Sequence, residues 1–168
     1  QSFGNFLRIR IFDKVPFKNV YYLNGHATDL EEECTRYTSL LSQFPTDIVC
    51  LGIGENGHIA FNDPDVANFN DHKLVKIVKL DHVCRQQQVN EKCFETLEQV
   101  PTEALTLTIP ALLKAKWMFC IVPFKNKSQA VYRTIHGDIS EKCPASILRR
   151  KEKSSLYLDT ESAQLLNL

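Results

Sequence analysis

At 168 residues the chain has the length of one domain with an ordinary hydrophobic core. Twenty Lys and Arg balance twenty Asp and Glu, leaving no net field to select nucleic acid or an anionic membrane as a partner. No apolar run approaches the roughly 18 residues of a membrane span and no signal-peptide pattern opens the chain. The six cysteines are scattered without a C-x-x-C pair, which favours the reduced thiols of a cytoplasmic protein over a disulfide framework or a metal site.

The chain opens on Gln1 rather than methionine, and residues 2–12 (SFGNFLRIRIF) already carry the pattern of an amphipathic helix, an opening expected of a piece cut from something longer. Val20-Tyr21-Tyr22-Leu23 predicts a short strand closed by Asn24-Gly25. Thr28 and Glu31 have capping-box spacing, and the helix that follows runs to about Phe44, with Leu30, Tyr37, Leu40 and Leu41 on one side and Pro45 ending it. Asp47–Leu51 reads as a buried central strand. Lys73–Leu80 alternates in period two, predicting a strand with one face less buried, and His82–Phe94 reads as a polar helix.

Farther along, Ala104–Leu107 is a short strand, Ile109–Ala115 a helix with Pro110 in its first turn, and Lys116–Val122 another core strand. A helix from about Asn126 to His136 ends at Gly137, expected to be a left-handed cap. Pro144–Arg150 predicts a short helix, Ser155–Leu158 a last strand and Thr160–Leu166 a terminal helix. This alternation argues for a single α/β domain over 1–168 with parallel strands.

Chemistry concentrates in residues 51–64, LGIGENGHIAFNDP. Gly52, Gly54 and Gly57 let the backbone approach a ligand and take positive φ without steric cost, and a strand running into such a turn is where open α/β sheets place their binding crevice. Gly52, Ile53 and Gly54 are therefore candidate substrate contacts. His58 lies within the turn, with Asn56 and Asp63 close enough in sequence to hydrogen-bond its ring, as an acid/base histidine requires. His26, His72, His82 and His136 share no metal-ligand spacing. The acids at 31–33 and the basic run at 149–151 read as solvated surface.

With its surroundings, this loop resembles the glucosamine-6-phosphate deaminase (isomerase) family, which shares its fold with ribose-5-phosphate isomerase and 6-phosphogluconolactonase. QSFGNFLRIRIFDKV, VYYLNGHATDLEEECTRY, VPTEALTLTIPALLKAKWMFCIV and FKNKSQAV extend the resemblance over most of the chain, which corresponds to about the later two-thirds of a member. The resemblance implies a three-layer Rossmann-like sheet of mostly parallel strands flanked by helices, of the sugar-phosphate isomerase/CoA-transferase kind, without its N-terminal portion. The ending Phe61-Asn62-Asp63-Pro64 favours the deaminase branch over the lactonase branch.

Carried over, the resemblance makes His58 the group that opens the pyranose ring, Asp63 the acid beside it, and Asn56 the occupant of a position usually held by aspartate. Lys127 becomes the phosphate-binding lysine. An arginine that helps hold phosphate in some members falls on Asn90, with Arg85 and Lys92 nearby as substitutes. Asn56 orients the ring but supplies no charge, so retained but retuned activity is expected. The family's phosphate loop and the aspartate that takes the C2 proton have no match in these residues, so the 1–168 polypeptide alone is expected to be inactive and, with an apolar strand edge open, to self-associate. The implied reaction uses no cofactor and no metal; its partner is a phosphosugar, and a homo-oligomer fits. The alternatives are a phosphosugar lactonase or isomerase of the same fold, or a phosphosugar-binding module without catalysis.

Overall fold

The computed structural model describes residues 3–167; Gln1, Ser2 and Leu168, at the ends of the expected 1–168 domain, lie outside the described residues. In chain order the helices and strands are α1 (Phe3–Leu7), α2 (Leu30–Gln43), β1 (Ile48–Leu51), β2 (Val75–Lys79), α3 (His82–Asn90), β3 (Glu103–Leu107), α4 (Ile109–Leu113), β4 (Trp117–Val122), α5 (Ser128–His136) and β5 (Ser154–Leu158). A π-type segment, Arg8–Phe12, continues α1, and 3₁₀ turns lie at Leu97–Gln99, Lys125–Lys127 and Pro144–Arg150.

The strands sort into a parallel sheet in the order β1-β4-β5 and a separate antiparallel pair, β2 with β3. The expected mostly parallel α/β architecture is present, but the strand at 73–80 pairs outside the main sheet. Within the described residues β4 is central and β1, expected to be central, lies at an edge. Met118, Cys120 and Val122 of β4 point into the principal core with Ile53, Ile59, Ile109, Leu112, Val131 and Ile147. Alternation along the strand sends Trp117 and Ile121 to the other face, where both are exposed.

Local chemistry explains where several elements start and stop. Asp29, one residue past the expected Thr28, caps α2 by accepting the Glu32 N–H at 2.9 Å, and Glu31, Glu32 and Glu33 favour the positive end of the helix dipole. Thr108 caps α4 with Pro110 in its first turn. Helix α3 stops at Asn90, short of the expected Phe94, because Lys92 takes φ 58°.

Three expectations are corrected. Residues 20–23 form no strand: the Tyr22 carbonyl accepts from Arg36 at 2.8 Å and the Asn24 N–H donates to Glu33 at 2.6 Å, so side chains of α2 take up the polar groups a strand would have paired. Residues 160–166 form successive turns, the Asp159 carboxylate binding the N–H groups of both Ser162 and Phe124. Gly137 is extended (φ −75°, ψ 174°) rather than left-handed. It is required for space instead, since a Cβ there would lie 2.6 Å from the Arg133 carbonyl.

Candidate active site

The carboxyl end of β1 runs into Gly52-Ile53-Gly54 and turns. Gly57 donates its N–H to the Gly54 carbonyl and Gly54 donates its N–H to the His58 carbonyl, each at 2.9 Å, folding the imidazole back over the chain. A Cβ at Gly54 would fall inside the His58 ring. Gly57 has φ +91°, and a Cβ there would sit 2.8 Å from Cys143 Sγ, so backbone and packing both exclude a side chain. Gly52 is less constrained: a Cβ would make ordinary contact, 3.4 Å, with the Ile121 carbonyl. Ile53 is buried in the core, so only its backbone is available to a ligand.

His58 is mostly buried and its Nδ1 lies 2.8 Å from Asn56 Oδ1 and 2.9 Å from Asp63 Oδ1. The Asn56 amide has one workable orientation. Its Nδ2 donates to Asp63 Oδ1 at 3.0 Å and to Asp81 Oδ2 at 2.8 Å, while its Oδ1 also accepts the His58 backbone N–H at 2.9 Å. Reversing it would set an oxygen against two carboxylates. With acceptors on both sides, Nδ1 carries the proton of the neutral ring and Nε2 presents a lone pair. That is the form a general base requires.

Asp63 is fully buried. Burial pushes its carboxyl up, but the hydrogen bonds from His58 and Asn56, the electrostatic pull of the adjacent His58 ring and the Asp81 N–H outweigh it and hold the group below the usual carboxylate range. The residues before it anchor the loop. Asn62 Nδ2 donates to the Ile59 and Leu107 carbonyls, both at 2.9 Å, and the Phe61 N–H donates to Thr106 Oγ1 at 3.0 Å, fixing the turn to β3. Cys84 is buried beneath; burial pushes its thiol up to about 12, with the charges of Asp63 and Asp81 adding to the effect. His58, Asp63 and Cys84 bring potential ligand atoms within 4.8 Å of one another, the single such grouping among the described residues. Within it the His58 ring nitrogen and the Asp63 carboxylate are joined at 2.9 Å.

Lys127 stands at the carboxyl end of the adjacent parallel strand β4, just before α5, and is buried. Its Nζ lies 3.3 Å from Glu91 Oε1. Glu91 also accepts from Gln87 Nε2 at 2.7 Å, Gln87 Oε1 accepts the Glu55 N–H at 3.1 Å, and Asn126 donates to Glu55 at 2.7 Å. This chain of contacts links the lysine to the glycine loop. The backbone just before it is strained, Phe124 holding φ 81°.

Arg85 is employed differently: its Nη2 donates to the carbonyls of Leu97 and Val100 at 2.7 and 3.0 Å. No hydrogen bond or ion pair among the described residues joins it to His58, Asn56, Asp63 or Lys127. Sequence reasoning missed Asp81 and Glu91. Cys84, Gln87 and Glu91 are spaced three and four apart, one stripe of a helix, and that spacing within the polar run was the available signal.

At the carboxyl end of the parallel sheet, an α/β fold thus sets a glycine turn that holds an imidazole between an amide and a buried carboxylate, with a buried lysine at the end of the neighbouring strand. Residues 1–157 match the family of glucosamine-6-phosphate isomerases/6-phosphogluconolactonase. The glucosamine-6-phosphate deaminase of Bacillus cereus (strain B4264) is 42% identical over 164 residues, covering 98% of this chain and 61% of the relative; that of Bacillus cytotoxicus is 41% identical over the same share. A solved structure described as a monomeric glucosamine-6-phosphate deaminase superposes with a TM-score of 0.91 at 36% identity, covering 98% of this chain and 68% of that one. The 6-phosphogluconolactonase of Trypanosoma brucei, at 19% identity and a TM-score of 0.70 over 96% of this chain and 66% of its own, shares the fold.

The chain belongs to the glucosamine-6-phosphate isomerase/6-phosphogluconolactonase family. It spans 61% of the length of the curated relatives quoted above. No helix among the described residues is long and apolar enough to cross a membrane.

Proposed function

We propose that this site serves the deamination and isomerisation of glucosamine 6-phosphate, which with water gives fructose 6-phosphate and ammonia, a hydrolytic step of amino-sugar breakdown. The observation that carries the reading is the His58 ring, with Nδ1–H held between Asn56 and Asp63 and Nε2 left as the base. In this reading Nε2 takes the proton of the anomeric hydroxyl and delivers it to the ring oxygen, opening the pyranose. The buried Asp63 carboxylate stabilises the transient imidazolium, and Lys127 exchanges Glu91 for the substrate phosphate. The backbone of residues 52–54 lines the approach. Transfer of the C2 proton to C1 needs a further base, which the family resemblance assigns to a segment without a match in these residues. The same reading places the protein in the cytoplasm, in keeping with the free thiols of the exposed Cys50 and Cys93.

The test pairs two assays on protein carrying this chain, ammonia release from glucosamine 6-phosphate and hydrolysis of 6-phosphogluconolactone, with calorimetric titration of the sugar phosphate alongside. Ammonia release that falls about 10²–10⁴-fold in His58→Ala, the usual worth of a general acid–base group, is the expected result. Lactone hydrolysis without ammonia would overturn it in favour of the lactonase chemistry, and binding without either turnover would favour a non-catalytic module.

A further inference from the structure

We propose that Asp81 is a positioning residue for His58: its carboxylate, acting through the Asn56 amide, selects the Nδ1–H form of the imidazole and makes asparagine the residue that fits at position 56. The inference rests on His58 being the proton-transfer group, and it concerns how that group is set.

All four hydrogen-bonding positions of the Asn56 amide are used, which is its full capacity. Two go to His58, its backbone N–H at 2.9 Å and its Nδ1 at 2.8 Å. The other two reach carboxylates, Asp63 at 3.0 Å and Asp81 at 2.8 Å. Asp81 is the shorter contact and comes from outside the loop. It is itself immobilised, because its other oxygen caps α3 by accepting the Cys84 N–H at 2.6 Å. A rigid helix end thus joins Asp63 in fixing which end of the amide faces the ring, and the amide oxygen joins the Asp63 carboxylate, 2.9 Å from Nδ1, in fixing which ring nitrogen is protonated.

The same geometry accounts for the residue at 56. An aspartate there would bring a third carboxylate to about the hydrogen-bond distance from both Asp63 and Asp81, with no proton to share at neutral pH. Asparagine keeps the ring acceptor and turns the remaining contacts into donors. The negative charge that an aspartate would have provided stands one residue farther out, on Asp81. The other titratable groups around this network are Asp63 from the loop and Cys84 from the first turn of α3, with Glu55, Glu91 and Lys127 beyond them.

The experiment records the ¹⁵N resonances of the His58 ring, assigned by loss in His58→Gln, in the 168-residue chain at neutral pH. The expected wild-type spectrum is the pure Nδ1–H form. Asp81→Ser keeps a good helix cap but removes the oxygen facing Asn56, and should populate both tautomers; Asp81→Ser retaining the wild-type ring pattern, or a wild-type ring protonated on Nε2, would overturn the proposal. A thermal-melting arm covers the case in which that variant fails to fold. Asn56→Asp should melt below wild type, and adding Asp81→Asn, which restores one donor and one acceptor between the two positions, should recover part of the loss. A double variant no better than Asn56→Asp alone would also overturn the proposal. An Asp81-dependent tautomer, where protein carrying this chain hydrolyses 6-phosphogluconolactone without releasing ammonia, would leave this inference standing and remove the deaminase reading.

Discussion

At the scale of single residues, Asp63 carries the clearest energetic consequence. Folding buries this carboxyl yet leaves it more acidic than in the unfolded chain, because donors from His58, Asn56 and the Asp81 backbone meet the charged form. The folded state therefore binds that proton less readily than the unfolded one, and stability rises with pH across the interval between the two values. The contribution is complete above the unfolded carboxylate value of about 3.9 and is lost as pH falls through the lower, folded one. In urea melts taken from pH 7 downward, Asp63→Asn should show a shallower acid limb than wild type. A limb of unchanged slope would mean that the His58 and Asn56 contacts do not persist in solution. Some slope remains in either case, since Glu33, held down chiefly by its hydrogen bond from Arg36, and Asp71, where burial is outweighed by Lys76, the Lys73 N–H and His72 together, lose stability in the same direction.

At the scale of elements, what could be read from the sequence divides by the range of the forces involved. Periodicity and capping residues located α2, α4, α5 and the strands at 48–51, 75–79, 103–107, 117–122 and 154–158 to within a few residues, because each is set by neighbours in the chain. Residues 20–23 were misread for the opposite reason: Arg36 reaches the Tyr22 carbonyl from 14 positions away, and propensity carries no record of that; at 160–166 the local Asp159 carboxylate, accepting the Ser162 N–H, holds turns where a helix was expected. The site follows the same division. His58, Asn56 and Asp63 share one turn and were visible together, whereas Asp81 enters 25 positions from Asn56 by a tertiary contact. Arg85 shows how a side chain suited to phosphate can be committed to the backbone. Its two hydrogen bonds fasten α3 to the turn at 97–100, and bonds from a charged donor contribute about 1.5–3 kcal/mol each. Arg85→Ala should lower the urea-melt stability by an amount of that order. A variant with unaltered stability that no longer binds the sugar phosphate would return Arg85 to the substrate role its sequence context suggested.

At the scale of the whole molecule, the described residues cover the parallel sheet on one face only. Met118, Cys120 and Val122 meet the core, while the register places Ile48 beside Trp117 and Ile121 beside Tyr157 on the opposite face, where Ile48 is 56% and Tyr157 54% exposed. Parallel sheets ordinarily bury both faces, since their strands carry apolar residues in both directions. Beyond this face, β1 adds an edge whose outer backbone groups have no strand partner among the described residues, a feature that promotes strand-to-strand pairing between copies. Face and edge are continuous, so a second copy of the chain can cover both at once, and the 168-residue polypeptide should associate with rising concentration. Ile121→Lys is the discriminating change: the position is half exposed and makes none of the site's contacts, so the fold should change in stability by no more than about 0.5 kcal/mol, while a buried ammonium at the contact would oppose assembly. Sedimentation velocity across a concentration series should show the wild-type coefficient climbing and that of Ile121→Lys holding at the monomer value. A wild-type chain that remains monomeric throughout would mean that the exposed apolar face is tolerated without a partner.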